Sequence, residues 1–203
     1  MTTSSKSSEQ RLFEIASEQQ GYFTTSQAIE AGFQDATHPY HLKNGDWVRE
    51  WRGIYRISRY PRTDDGQYVL WSLWARNRKG LFQGVYSHQT ALSLFELSDV
   101  MPEKLHMTVP PSFRRHSETP GVLVLHRGTI VSQEIEKREG YKVTRPSRAI
   151  VDLIIEESVS VDIVRQAFKE ARKRGLIQAT EFRRYRGDPE INRKIRDSIG
   201  NVV

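Results

Sequence analysis

The chain has 203 residues, with 31 Lys and Arg against 25 Asp and Glu, a formal charge of +6 and no cysteine. That length allows one large domain or two small ones at about 100–200 residues each, and 37% apolar with 28% charged residues of both signs predicts a globular chain. The missing thiols exclude disulfides, cysteine nucleophiles and cysteine-ligated zinc. No apolar run reaches the ~18–20 residues of a membrane span, and the polar start MTTSSKSSEQ lacks a secretory core. A cytoplasmic protein without a membrane partner is expected.

From Glu9, Leu12, Phe13, Ile15 and Ala16 recur at helical spacing, predicting a first helix that Gly21 ends. Thr24-Thr25-Ser26-Gln27 reads as a capping box opening a second helix, which carries Ala28, Ile29 and Ala31 and stops at Gly32. A short turn, Phe33 to Ala36, leads to a third helix over Thr37–Asn44. Pro39 fits only in its first turn, and Gly45 supplies a left-handed stop. Trp47 to Ile57 is rich in aromatic and β-branched residues around Arg52-Gly53, predicting a hairpin. Three short helices, the last two joined by a tight turn, and then a hairpin make a winged helix-turn-helix domain over residues 8–60. Such a domain puts the second helix of the turn pair into the DNA major groove.

Leu42 is expected to face the core, leaving Thr37, His38, Tyr40, His41, Lys43 and Asn44 for base edges or phosphates. In the hairpin, Arg49, Arg52 and Arg56, followed by Arg59, suit phosphate contacts. Acids dominate the start of this domain and bases its end, from Lys43 to Arg59. The same residues could equally form a protein-binding face. His38 and His41 stand three apart, a spacing able to share a metal, but no metal is expected there.

Ser58–Gly66 (SRYPRTDDG) reads as a linker to a second domain over 67–203. Helices are predicted from Tyr68 to near Gly80 and over Ser87–Glu96, then strands over Leu105–Val109 and Val122–His126. Ile130–Glu136 is a strand or short helix, and Tyr141 to Val143 a strand. Ser147 is expected to cap a helix carrying Ala149, Ile150, Leu153 and Ile154. Val161–Arg174, Thr180–Arg186 and Pro189–Ile199 are helical. The whole chain is therefore α+β, with a helical C-terminal end. Bases outnumber acids over Arg165–Arg196, a stretch open to DNA, a partner or solvent.

Enzymatic motifs are missing: there is no HExxH, GxxxxGK[ST] or GxGxxG. Glu96, Asp99, Glu103, His106 and Asp152 are the candidates for a metal-dependent nuclease or transferase. For Asp152, an ion pair with Arg148, four residues back, is the simpler account. No catalytic residue, cofactor or metal is expected.

GYFTTSQAIEAGF and LKNGDWVREWRGIYRI, followed by SHQTAL, LHMTVP, VTRPSRAIVDL and ARKRGLI, together resemble the AbiEi-family antitoxins of type IV abortive-infection toxin–antitoxin systems, over residues 10–180. The resemblance implies a winged helix that binds double-stranded operator DNA and represses its own operon. It also implies a C-terminal domain needed to neutralise a nucleotidyltransferase-like toxin. Carried onto this chain, it assigns DNA contacts to the Thr37–Asn44 helix and the hairpin arginines. Related architectures add a nuclease-like domain after the Ser147–Leu176 equivalent, and the segment after Ile177 is too short for one. Nuclease activity is therefore not carried over. The alternatives are a protein-binding winged helix and a metal-dependent enzyme.

Overall fold

A computed structural model describes residues 6–99 and 101–200. The chain forms two compact units, one of Met1–Gln83 with Lys137–Tyr141, the other of Gly84–Glu136 with Lys142–Val203. The expected break at Ser58–Gly66 thus falls inside the first unit. The physical reason is helix α4, Gly66–Trp74, whose Val69, Trp71, Leu73 and Trp74 are all buried. A helix so apolar needs cover, and Trp71 meets Trp51 edge-on, with ring centroids 5.0 Å apart.

In the first unit Ser7 caps helix α1, Ser8–Ser17, one residue before the expected start: its hydroxyl accepts the Gln10 N–H, while the Gln10 side chain accepts the Ser7 N–H. Gln20 and Gly21 are left-handed, at φ 51° and 86°, and turn the chain into strand β1, Tyr22–Thr24. A Cβ on Gly21 would lie 2.5 Å from the Tyr60 ring, so both backbone and space require glycine there. The Thr24–Gln27 capping box forms as expected and opens helix α2, Thr25–Glu30. A 3-10 turn at Asp35–Thr37 leads into helix α3, His38–Lys43. Strands β2, Trp47–Trp51, and β3, Ile54–Ile57, make the hairpin, with a register shift between Arg49 and Trp51. The antiparallel sheet runs β1-β3-β2, pairing Phe23 and Arg49 with opposite edges of Tyr55. Leu12, Ala16, Phe23, Ala28, Ala31, Trp47 and Tyr55 form the core beneath it.

A five-stranded mixed sheet underlies the second unit, although Lys137–Tyr141, at the tip of one of its hairpins, groups with the first. Its strands are β4 (Val85–Tyr86), β5 (Leu105–Val109), β6 (Leu123–Arg127), β7 (Ile135–Arg138) and β8 (Tyr141–Thr144), in the order β6-β5-β4-β8-β7. Strand β4 is antiparallel to β5 and parallel to β8, and β5 is parallel to β6. Two residues are too few to show a period, so central β4 carries no sequence signal. The ambiguous Ile130–Glu136 stretch resolves into a 3-10 turn at Ser132–Glu134 followed by β7. Helices α5 (His88–Leu94), α6 (Pro146–Glu156), α7 (Val161–Lys173) and α8 (Pro189–Ile199) complete the unit, with a 3-10 run at Ala179–Gly187. Arg145, not Ser147, stands at the α6 N-cap, because Pro146 takes the first helical position. The architecture is mixed α+β, as expected.

Charge is buried in this unit at Glu134, which is 4% exposed. Its carboxylate meets Arg148 at 2.9 Å and Arg184 at 2.7 Å, and accepts the Tyr185 hydroxyl at 3.1 Å. Arg148 in turn donates to Asp152 at 2.7 Å, so the pairing expected for Asp152 is present. Removing one partner of such a network leaves the others desolvated and unpaired. Glu134→Ala should therefore cost about 3–5 kcal/mol of stability, against within about 0.5 kcal/mol for the exposed Glu118→Ala, as read by urea denaturation.

Candidate nucleic-acid interface

Helix α3 is six residues long and half of it is structural. Leu42 packs on the core as expected. His38 does too, which corrects its assignment to a groove: it is 3% exposed, with its ring 5.2 Å from that of Trp47 and 6.0 Å from that of Tyr55. Burial lowers its pKa, outweighing the opposing pull of Asp35. His41 is half-buried, stacked on Trp47 at 4.7 Å and held by Asp46 at 3.1 Å. Thr37 is likewise half-buried and donates to the Gln34 carbonyl at 2.7 Å. Tyr40, 62% exposed, points outward, as do Lys43 and Asn44.

On the hairpin, Arg49 and Arg52 are exposed and Arg56 is buried, a second correction. Strand β3 is the middle strand of its sheet, covered on both faces, so residue alternation there does not lead to solvent. Arg56 donates to Glu50 at 2.8 Å and to the carbonyls of Ile57 at 3.2 Å and Tyr60 at 3.1 Å, fastening the chain that leaves the hairpin. The outward set is thus Tyr40, Lys43, Asn44, Arg49 and Arg52, with Arg59 also exposed. Arg56→Ala should lower the urea midpoint by an amount equal to about 2–4 kcal/mol, while Arg52→Ala leaves it within about 0.5 kcal/mol.

The carboxylates considered for catalysis do not assemble around Asp152. Glu96 and Glu103 are exposed, and Asp99 accepts from Gln166 at 2.9 Å. Asp152 is buried against Arg148, and burial raises its pKa to about 6 despite that partner. His106 joins a cluster that the sequence reading missed. Among the described residues, the group able to bring three ligand atoms together is His88, His126 and Glu156. Glu156 Oε1 lies 3.1 Å from His88 Nε2 and 2.8 Å from His126 Nδ1. The two rings stack at 3.7 Å, and His106 Nδ1 lies 3.0 Å from His126 Nε2. His88 Nδ1 meets the Ser87 hydroxyl at 2.8 Å, which accepts from Thr108 at 2.7 Å. Ser87 is fully buried, and its hydroxyl orients His88. The readable signal was topological: parallel pairing of β5 with β6 sets Thr108 beside His126, but spacing along the chain does not show it.

Burial first, and the neighbouring imidazoles second, lower the pKa of His88 to about 3 and of His106 to about 4. The unfolded chain therefore takes up protons from about pH 6.5 downward, where these native rings do not. Asp152 works the other way, since its native carboxyl protonates before its unfolded one. With three rings, the buried His38 among them, against one carboxyl, metal-free protein should lose stability between about pH 6.5 and pH 4. Urea midpoints near neutrality and near pH 5 check this, and an unchanged or higher acid midpoint contradicts it.

No protein family and no curated protein matches the chain. Among solved structures, one titled "Crystal structure of RV2827C protein from Mycobacterium tuberculosis" is 12% identical over 80% of this chain and 71% of its own, with a TM-score of 0.47. Among the described residues, no helix is long and apolar enough to cross a membrane.

Proposed function

We propose that this chain is a DNA-binding transcriptional regulator whose first unit acts as a winged helix-turn-helix. The observation that carries the reading is the outward set Tyr40, Lys43, Asn44, Arg49 and Arg52, on a short helix and the hairpin that follows it. The element order α1-β1-α2-α3-β2-β3, with sheet order β1-β3-β2, supports it. In this reading α3 enters the major groove. Asn44 and Tyr40 meet base edges, while Lys43, Arg49 and Arg52 neutralise phosphates. The AbiEi resemblance extends the proposal to an antitoxin that represses its own operon and counteracts a nucleotidyltransferase-like toxin. A protein-binding role for the same unit draws support from the exposed apolar side chains of Phe13 and Ile29.

Fluorescence anisotropy of the full chain, with the DNA upstream of its own gene and with random duplex at two salt concentrations, separates the two readings. The regulator should prefer the upstream DNA and lose affinity steeply with salt. Lys43→Ala and Arg52→Ala should weaken binding to every sequence and flatten the salt slope by about one unit each. Tyr40→Ala and Asn44→Ala should instead narrow the gap between operator and random DNA by ~1–3 kcal/mol. Binding without salt dependence or preference would turn the assignment to the protein-binding module.

A further inference from the structure

The second unit holds a constellation that operator binding does not use. We infer that His88, His126 and Glu156 form a binding site for one divalent transition-metal ion, with zinc as the fitting occupant. Each ligand comes from a different element: His88 from the start of α5, His126 from β6 and Glu156 from the last residue of α6. Their ligand atoms all lie within 4.8 Å of one another. A tetrahedral zinc with bonds of about 2.0–2.1 Å needs its donors about 3.3 Å apart; the 2.8 and 3.1 Å separations from Glu156 lie near that value, and the two rings, stacked at 3.7 Å and 14° from parallel, tilt on loading so that each nitrogen lone pair points at the ion.

Outer partners hold both imidazoles, as metal-bound histidines require. With metal on Nε2, His88 carries its proton on Nδ1 and donates it to the Ser87 hydroxyl, itself held by Thr108. With metal on Nδ1, His126 donates from Nε2 to His106 Nδ1. The His88 backbone is left-handed, at φ 54°, and its Nε2 faces Glu156. His88 is buried, His126 nearly so, and the Glu156 side chain is 38% exposed. One side of the site therefore opens to solvent, leaving a coordination position for water or an incoming ligand. Two imidazoles and one carboxylate, with no thiolate, select zinc or another first-row divalent ion over calcium and magnesium.

The test is zinc binding by full-length protein stripped with a chelator, read by calorimetry, with cobalt(II) as a spectroscopic stand-in. One metal per chain should bind, and cobalt should give visible absorption of four- or five-coordinate character. His126→Gln and Glu156→Gln should each weaken binding at least about tenfold, and His106→Gln, which removes an outer partner, by about tenfold. His116→Gln, a histidine on an exposed loop, should change nothing. Circular dichroism reports whether each variant is folded. Should His126→Gln fail to fold, the half-exposed Glu156→Gln decides. No stoichiometric binding, or variants that bind like the parent, would overturn the assignment.

Discussion

The indole of Trp47 sets which side chains of the first unit reach solvent. Its ring is met by those of Phe23 at 4.9 Å, Phe33 at 5.1 Å, His38 at 5.2 Å and His41 at 4.7 Å. A six-residue helix has under two turns, so once His38 and His41 are drawn to one indole and Leu42 to the core around it, its remaining direction is determined. Pro39, Tyr40 and Lys43, with Asn44 at the cap, are what is left facing out. The outward set thus follows from a packing requirement, whatever ligand it meets.

In the second unit the corresponding constraint is electrostatic. The Glu134 carboxylate is buried at the end of a 3-10 turn and is tolerable only while Arg148, Arg184 and Tyr185 stay in place. Those partners come from α6 and from the 3-10 run at Ala179–Gly187. The network therefore ties the helical C-terminal segment to the turn before β7. The basic stretch Arg165–Arg196 is partly accounted for in the same way. Arg184 serves Glu134, Arg174 donates to the Phe95 carbonyl and Lys194 pairs with Glu157.

Local rules carried much of the fold. Capping boxes, left-handed glycines and apolar spacing are written within a few residues of the structure they specify, and Thr24–Gln27, Gly45 and Gly53 behave as their chemistry requires. The reading failed where the deciding neighbour is distant in sequence. Arginine on a hairpin reads as solvent-facing, and Arg56 is buried only because β1 closes the other edge of β3. His38 reads as a donor on a surface helix, yet two aromatic rings outside α3 enclose it. Polarity at Ser58–Gly66 reads as a linker, whereas the compact units part after Gln83, because the apolar face of α4 needs cover.

The histidine cluster was illegible for the same reason and shows how the second unit separates its charges. Arg148 lies close enough to His88 to disfavour a proton there. A guanidinium so placed needs carboxylates of its own. It is not free: Asp152 and Glu134 hold it from two sides, at 2.7 and 2.9 Å. With Arg148 so occupied, and His88 and His106 kept neutral by burial, the Glu156 carboxylate is left to face the rings of His88 and His126. The buried network around Glu134 thus holds the unit together and also engages Arg148, the cation that bears on His88.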